Sequence, residues 1–259
     1  MVNSPSLLRS RFVLCRHLPV VALSLFALPL LTALPAHAQF GTNLVVNGDA
    51  EAGAGSPDAN TVEPVPAWNT SGTFTAVQYS ASSGFPTLTD PGPSVRGSNF
   101  FAGGPSNAFS QATQTLDVSM DTNAFGNGLT PFTLSGYVGG FAGQNDNAVF
   151  SAVFLSSGGG VLGTAQIGPV SAADRLSQTG LLFRSSSGTV PVGTSSIFFD
   201  LQMTRMEGSY NDGYADNLSL TLDAPAAVPE ASTTLSFGLL LALGLGGVAV
   251  AKKKSAKAA

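Results

Sequence analysis

Between Gln39 and Asp223 the charged side chains are fourteen carboxylates, from Asp49 to Asp223, and four arginines: Arg96, Arg175, Arg184 and Arg205. Histidine, cysteine and lysine are absent from this segment. Those residue types limit the chemistry. Without histidine or cysteine, no Ser-His-Asp or Cys-His nucleophile can assemble, and no His/Cys zinc site can form. Without lysine there is no Schiff base and no phosphate-loop ammonium. Paired carboxylates acting as acid and base are what is left, and no spacing among Asp and Glu singles out such a pair. The expectation is a protein that is not an enzyme. Its segment charge of −10 repels nucleic acid and anionic lipid. It is compatible with neutral glycans and with hard divalent cations that take oxygen ligands.

Sugars are bound by stacking their C–H faces on aromatic rings while amides and carboxylates read the hydroxyls. Trp68, Tyr79, Tyr137, Tyr210 and Tyr214 are the tryptophan and tyrosines available for this. Tyr210-Asn211-Asp212-Gly213-Tyr214 would put two exposed rings about a turn, so Tyr210, Tyr214 and Trp68 are candidate ligand contacts. For Trp68 a place in the core is the competing reading. Gln144-Asn145-Asp146-Asn147 reads as a hairpin turn rather than a metal site. Gly158-Gly159-Gly160 also reads as a hairpin turn, since neither helix nor lysine follows it.

The elements that must position these groups are short strands. Apolar residues alternate in segments bounded by Gly, Pro, Asn and Asp. These segments are Asn43–Asn47, Thr73–Tyr79, Ser110–Val118, Phe132–Val138, Ala148–Leu155, Val161–Ile167, Gly180–Arg184, Ser196–Met206 and Tyr214–Leu222. Ile197-Phe198-Phe199 breaks the alternation and suggests a strand covered on both faces, or a bulge. Asp90-Pro91-Gly92-Pro93 and Gly103-Gly104-Pro105 read as turns. About nine or ten strands at this spacing predict an all-β antiparallel sandwich in one domain, residues 39–223. With no cysteine in that domain, burial rather than disulfides must hold it together.

The first predicted strand, Asn43-Leu44-Val45-Val46-Asn47-Gly48-Asp49-Ala50-Glu51, and the last, Asp212-Gly213-Tyr214-Ala215-Asp216-Asn217-Leu218, resemble the opening and closing strands of galactose-binding-like jelly rolls. Many carbohydrate-binding modules have this fold. Val65-Pro66-Ala67-Trp68 is similar to the Pro-x-Trp that follows the first strand there, whereas Ala50 stands where the family usually has phenylalanine. The resemblance implies that the first and last strands lie side by side, bringing Asp49 and Glu51 near Asp216. Mutual repulsion of three such carboxylates would be relieved by a cation. The resemblance implies one structural calcium held by Asp49, Glu51, Asp216 and Asn217, with backbone carbonyls completing its shell. The competing reading is that Asn47, Asp49 and Asn217 cap turns through backbone hydrogen bonds.

Both termini read as addresses. Arg9, Arg11 and Arg16, an apolar run from Leu18 to Leu34 and Ala36-His37-Ala38 predict a signal peptide over residues 1–38, which carries away Cys15. The tail, residues 224–259, places Val228-Pro229-Glu230-Ala231-Ser232-Thr233 before an apolar run, Leu235–Ala251, and a basic end over 252–257. That run, as a single transmembrane helix of about 25 Å, nearly matches the bilayer core, and the lysines after it belong on the cytoplasmic side. The layout resembles the PEP-CTERM sorting signal of Gram-negative bacteria. Ala231 replaces the motif's second proline, and lysine largely replaces arginine. The resemblance implies an exosortase-type sorting protease as partner, a precursor held in the inner membrane, and export to the cell surface or an exopolysaccharide matrix. An ordinary single-pass anchor is the competing reading. The expected function is thus a non-enzymatic envelope or biofilm-matrix protein, and the alternative is a module that binds a neutral glycan.

Overall fold

A computed structural model describes residues 40–224 apart from 83, 120–124 and 126–127. The predicted signal peptide, the sorting motif Val228–Ala231 and the transmembrane run lie outside the described residues. No described helix is long and apolar enough to cross a membrane.

Alternation in the sequence becomes alternation of burial. In β5 (Pro131–Gly140), β6 (Asn147–Leu155) and β9 (Ser196–Thr204) buried residues alternate with half-buried ones along nearly the whole strand. Such a pattern is what a strand with one covered face requires. The other strands are β1 (Asn69–Ser71), β2 (Thr75–Gln78), β3 (Asn99–Pro105), β4 (Phe109–Asp117), β7 (Val161–Ile167), β8 (Gly180–Thr189) and β10 (Tyr210–Leu222). They form two five-stranded sheets, in the orders β1-β4-β9-β6-β7 and β2-β3-β10-β5-β8. Every ladder between named strands is antiparallel. The expected all-β antiparallel sandwich is therefore the fold observed.

The main core lies between the sheets, with Phe101, Leu134 and Leu220 from one and Phe150, Phe199 and Leu201 from the other. Trp68 seals one side, edge-on to Phe101 at 5.8 Å and to Phe150 at 6.5 Å. A second apolar cluster, including Tyr79, Phe100, Leu181 and Tyr214, occupies the outer face of the second sheet. Phe85, from the β2–β3 connection, packs on it against Tyr210 at 4.9 Å and Tyr214 at 6.3 Å.

Three expectations need correction. Asn43–Asn47 is not a ladder strand, because side chains rather than peptide groups make much of its pairing. Gly103-Gly104-Pro105 is not a turn but the end of β3. Buried on both faces, with Phe101 in one cluster and Phe100 in the other, β3 has no alternation to read. Gly104 has φ +89°, and a Cβ there would sit 1.8 Å from the Thr73 carbonyl oxygen, so only glycine fits. Ile197-Phe198-Phe199 is neither doubly covered nor bulged: Ile197 and Phe199 point inward and Phe198 outward. Register shifts fall instead in β10, at Asn211/Tyr214 and at Asp216/Ser219, where Asn217 adopts φ 49°, and between β6 and β7 at Phe154/Leu155.

Candidate functional site

The segment before Gly48 docks on the edge of β10 through amides. Leu44 N–H donates to the Leu220 carbonyl at 2.9 Å. The Asn43 side chain then imitates a peptide group: its Nδ2 donates to the Leu218 carbonyl at 2.9 Å and its Oδ1 accepts from Leu220 N–H at 3.1 Å. Gln114 of β4 does the same from the other sheet, taking Val46 N–H at 2.9 Å and donating to the Val46 carbonyl at 3.0 Å. The chain then turns at Gly48, where a Cβ would lie 2.1 Å from the Leu218 carbonyl oxygen.

Beside this turn a depression of about 330 Å³ is lined by Asn43, Asn47, Gly48, Asp49 and Asn217, among others. Two of the four expected calcium ligands, Asp49 and Asn217, thus share one hollow. All four have other partners: Asp49 Oδ1 accepts from Glu51 N–H at 3.4 Å, and Asn217 Nδ2 donates to the Val95 carbonyl at 2.7 Å. Glu51 accepts from Ser98 N–H at 2.9 Å and Asn99 N–H at 2.7 Å. Asp216 is fully buried and accepts from the Tyr79 hydroxyl at 2.7 Å and from Asn217 N–H at 2.7 Å. Burial pushes the Asp216 carboxyl up to about 8, against these hydrogen bonds, and the charges of Glu51 and Asp49 add to the rise. The carboxylates therefore feel one another, and protonation of Asp216 is one way their repulsion is relieved. Among the described residues, no group of three acidic, histidine or cysteine side chains is arranged to hold a metal.

The three expected aromatic contacts are placed differently from one another. Tyr214 is fully buried and donates its hydroxyl to Asp212, and Trp68, 7% exposed, donates Nε1–H to the Asn47 carbonyl at 3.1 Å. Neither offers a ring face to solvent. Tyr210 is half-buried against Phe85. The expectation of two exposed rings fails because both side chains lie on the covered outer face of the second sheet. Asp212 is pushed up to about 6, chiefly by burial and then by the charge of Asp146, while the Tyr214 hydroxyl and Arg175 oppose the rise.

The connection 144–147 is not the expected hairpin turn: β5 and β6 belong to different sheets, so the chain crosses between them here. The turn lies just before it, where Gln144 N–H donates to the Phe141 carbonyl, and Asp146 is fully buried. It accepts backbone N–H groups of Met206 at 2.6 Å, Glu207 at 2.9 Å and Asp212 at 2.9 Å. Arg175 closes the same end with Nη donors to the carbonyls of Ala142 at 2.9 Å and Gln144 at 2.8 Å. Both charges are spent on tying loops together.

Sequence reasoning missed the outer face of the first sheet. There Asp200, on the central strand β9, accepts from Gln111 Nε2 at 2.8 Å and from Gln202 Nε2 at 2.7 Å, one amide on each carboxylate oxygen. Phe198 lies two residues away on the same face, opposite Val153 of β6 and Thr115 of β4. The signal was the phase of the strand. Ile197, Phe199, Leu201 and Met203 are all 0% exposed, so Phe198, Asp200 and Gln202 must point outward together.

No protein-family model and no curated protein sequence matches the chain. Among solved structures, the enzymatically active domain of tailspike protein 4 from bacteriophage CBA120 aligns at 16% identity and TM-score 0.41, over 70% of this chain and 21% of that one. The chain thus spans about a fifth of that protein. A family 16 carbohydrate-binding module aligns at 19% identity and TM-score 0.39, over 69% and 99%. The CBM22-1 xylan-binding domain from Paenibacillus barcinonensis aligns at 17% and 0.39, over 74% and 99%. Likeness at this level says nothing about ligand or chemistry.

Proposed function

We propose that the protein is an exported, non-enzymatic component of the cell envelope or of an exopolysaccharide matrix, its sandwich body delivered by residues 1–38 and sorted by residues 224–259. One observation carries this reading: the tail orders Val228–Ala231, an apolar run and Lys252–Lys254 as a membrane-sorting signal does. The body supports it, since histidine, cysteine and lysine are missing and the buried carboxylates Asp146, Asp212 and Asp216 are all hydrogen-bonded structurally. The partners on this reading are an exosortase-type protease and the inner membrane before processing. Deleting residues 228–259 tests it. The truncated protein should appear in the soluble periplasm or medium, whereas unchanged retention in the envelope fraction would remove the sorting role.

A second reading, binding of a neutral glycan, is favoured by the Asp200 face and not by Tyr210, Tyr214 or Trp68. We also propose one calcium, at the hollow lined by Asp49 and Asn217, since a hard cation takes carboxylate and other oxygen ligands.

A further inference from the structure

We infer that the outer face of the first sheet is a platform for an extended, uncharged polysaccharide, with Phe198 as the stacking ring and Asp200 as the reader of hydroxyl groups. The inference rests on the glycan-binding reading and assigns it a place. Three adjacent strands, β4, β9 and β6, bring the residues together in register. One row crosses the sheet as Thr115–Phe198–Val153, the next as Thr113–Asp200–Ser151, the third as Gln111–Gln202–Val149. Rows are separated by about 6.8 Å and strands by about 4.8 Å, so the three rows cover a surface on the scale of a few sugar rings.

Chemistry divides this surface in two. Phe198, Val153 and Val149 are half-buried and belong to neither core cluster, although apolar. A pyranose ring presents a C–H face that such side chains can cover. Asp200 with its two amides is the polar half. Each carboxylate oxygen already holds one N–H, which fixes the planes of Gln111, Asp200 and Gln202 before any ligand arrives. A carboxylate has about four acceptor sites and an amide carries two N–H donors. Remaining acceptors on Asp200, and the second N–H and the oxygen of each glutamine, can therefore serve a ligand. Sugar hydroxyls both donate and accept, and this group offers both functions at little ordering cost.

Charge selects among polymers. Asp200 is the one charged residue in the three rows, and the body around it carries −10. Uronate or sulfated chains would meet repulsion at the contact and at long range, which leaves neutral chains as the matching ligand. A central strand flanked by two others also presents a continuous surface, suited to the length of a chain rather than to its end.

Affinity electrophoresis of the full body, residues 39–223, in gels containing β-glucan, galactomannan, hydroxyethylcellulose or dextran tests the assignment. Wild type should be retarded by at least one of these polymers. Phe198→Ala and Asp200→Ala should each weaken that retardation by about tenfold or more, with unchanged circular dichroism and thermal midpoint. Phe183→Ala serves as control, because Phe183 is 52% exposed on the outer face of the other sheet. If wild type is retarded and the Phe198 and Asp200 variants are retarded equally, the site is wrong while glycan binding stands. If no polymer retards wild type, the glycan reading fails and the platform with it. A wild-type dimer in sedimentation that dissociates on Phe198→Ala, with no retardation, would make the face a self-interface and overturn the inference.

Discussion

Asp212 shows how burial turns one carboxylate into a source of pH dependence. Its folded-state value of about 6 exceeds the roughly 3.9 of an unfolded aspartate. Between those values the folded chain keeps a proton that the unfolded chain has released. Stability from this group is therefore complete below about pH 4 and is lost as pH rises through about 6. Asp212→Asn keeps an oxygen that can accept from the Tyr214 hydroxyl but removes the titration. Urea unfolding across pH 4 to 7 should show a steeper fall for wild type than for the variant. Equal slopes would mean that Asp212 titrates normally. Asp216 follows the same sign with a wider window, since its folded value is about 8. Tyr79, its hydrogen-bond partner, is driven upward by its own burial and then by the charge of Asp216.

At the scale of elements, the stretch from Asn43 to Val46 is not a strand but pairs with its neighbours partly through side chains. Asn43 supplies both a donor and an acceptor to β10, and Gln114 supplies both to Val46. Removing either amide leaves peptide groups without their partners, so Asn43→Ala and Gln114→Ala should each cost about 1–3 kcal/mol. Asn43→Asp should be no better than Asn43→Ala, because it would set a second acceptor against the Leu218 carbonyl. Denaturant midpoints of the three variants check this, and a fully stable Asn43→Asp would contradict it. The same feature explains what was readable beforehand. Strands β5 and β6 announce themselves because one face is wet and alternation survives in the sequence. Asn43–Asn47 reads as a strand from its alternation and is not one; amide mimicry has no periodic signature. In β3 both faces are dry and alternation vanishes, so Phe100 and Phe101 went unseen and the glycines after them looked like a turn. Phe198 misled in the opposite direction: an outward ring beside two inward neighbours imitates a doubly buried run, and that concealed Asp200 and Gln202. The face that carries Asp200 is thus written in the phase of β9, which becomes clear only once its inward residues are known.

For the whole molecule, a body charge of −10 makes two cation effects possible, and they can be separated. Mobile ions screen exposed carboxylates over a Debye length of about 8 Å at physiological ionic strength, whichever cation supplies the charge. A bound calcium would act differently, because affinity for the folded state alone raises stability with the logarithm of free ion concentration. The hollow at Gly48 is lined by Asp49 and by Asn217 at a β10 bulge, while Glu51 and Asp216 are already committed to other donors. On the calcium proposal, millimolar calcium should raise the melting temperature more than sodium at matched ionic strength, and Asp49→Asn should abolish the excess. Glu51→Ala should lower stability in both salts alike, because the role of Glu51 is to accept from Ser98 and Asn99 N–H rather than to bind an ion. If calcium and sodium act identically on wild type, the cation acts through screening alone. Protonation of Asp216 and the hydrogen bonds around it would then suffice to let the two ends of the domain meet.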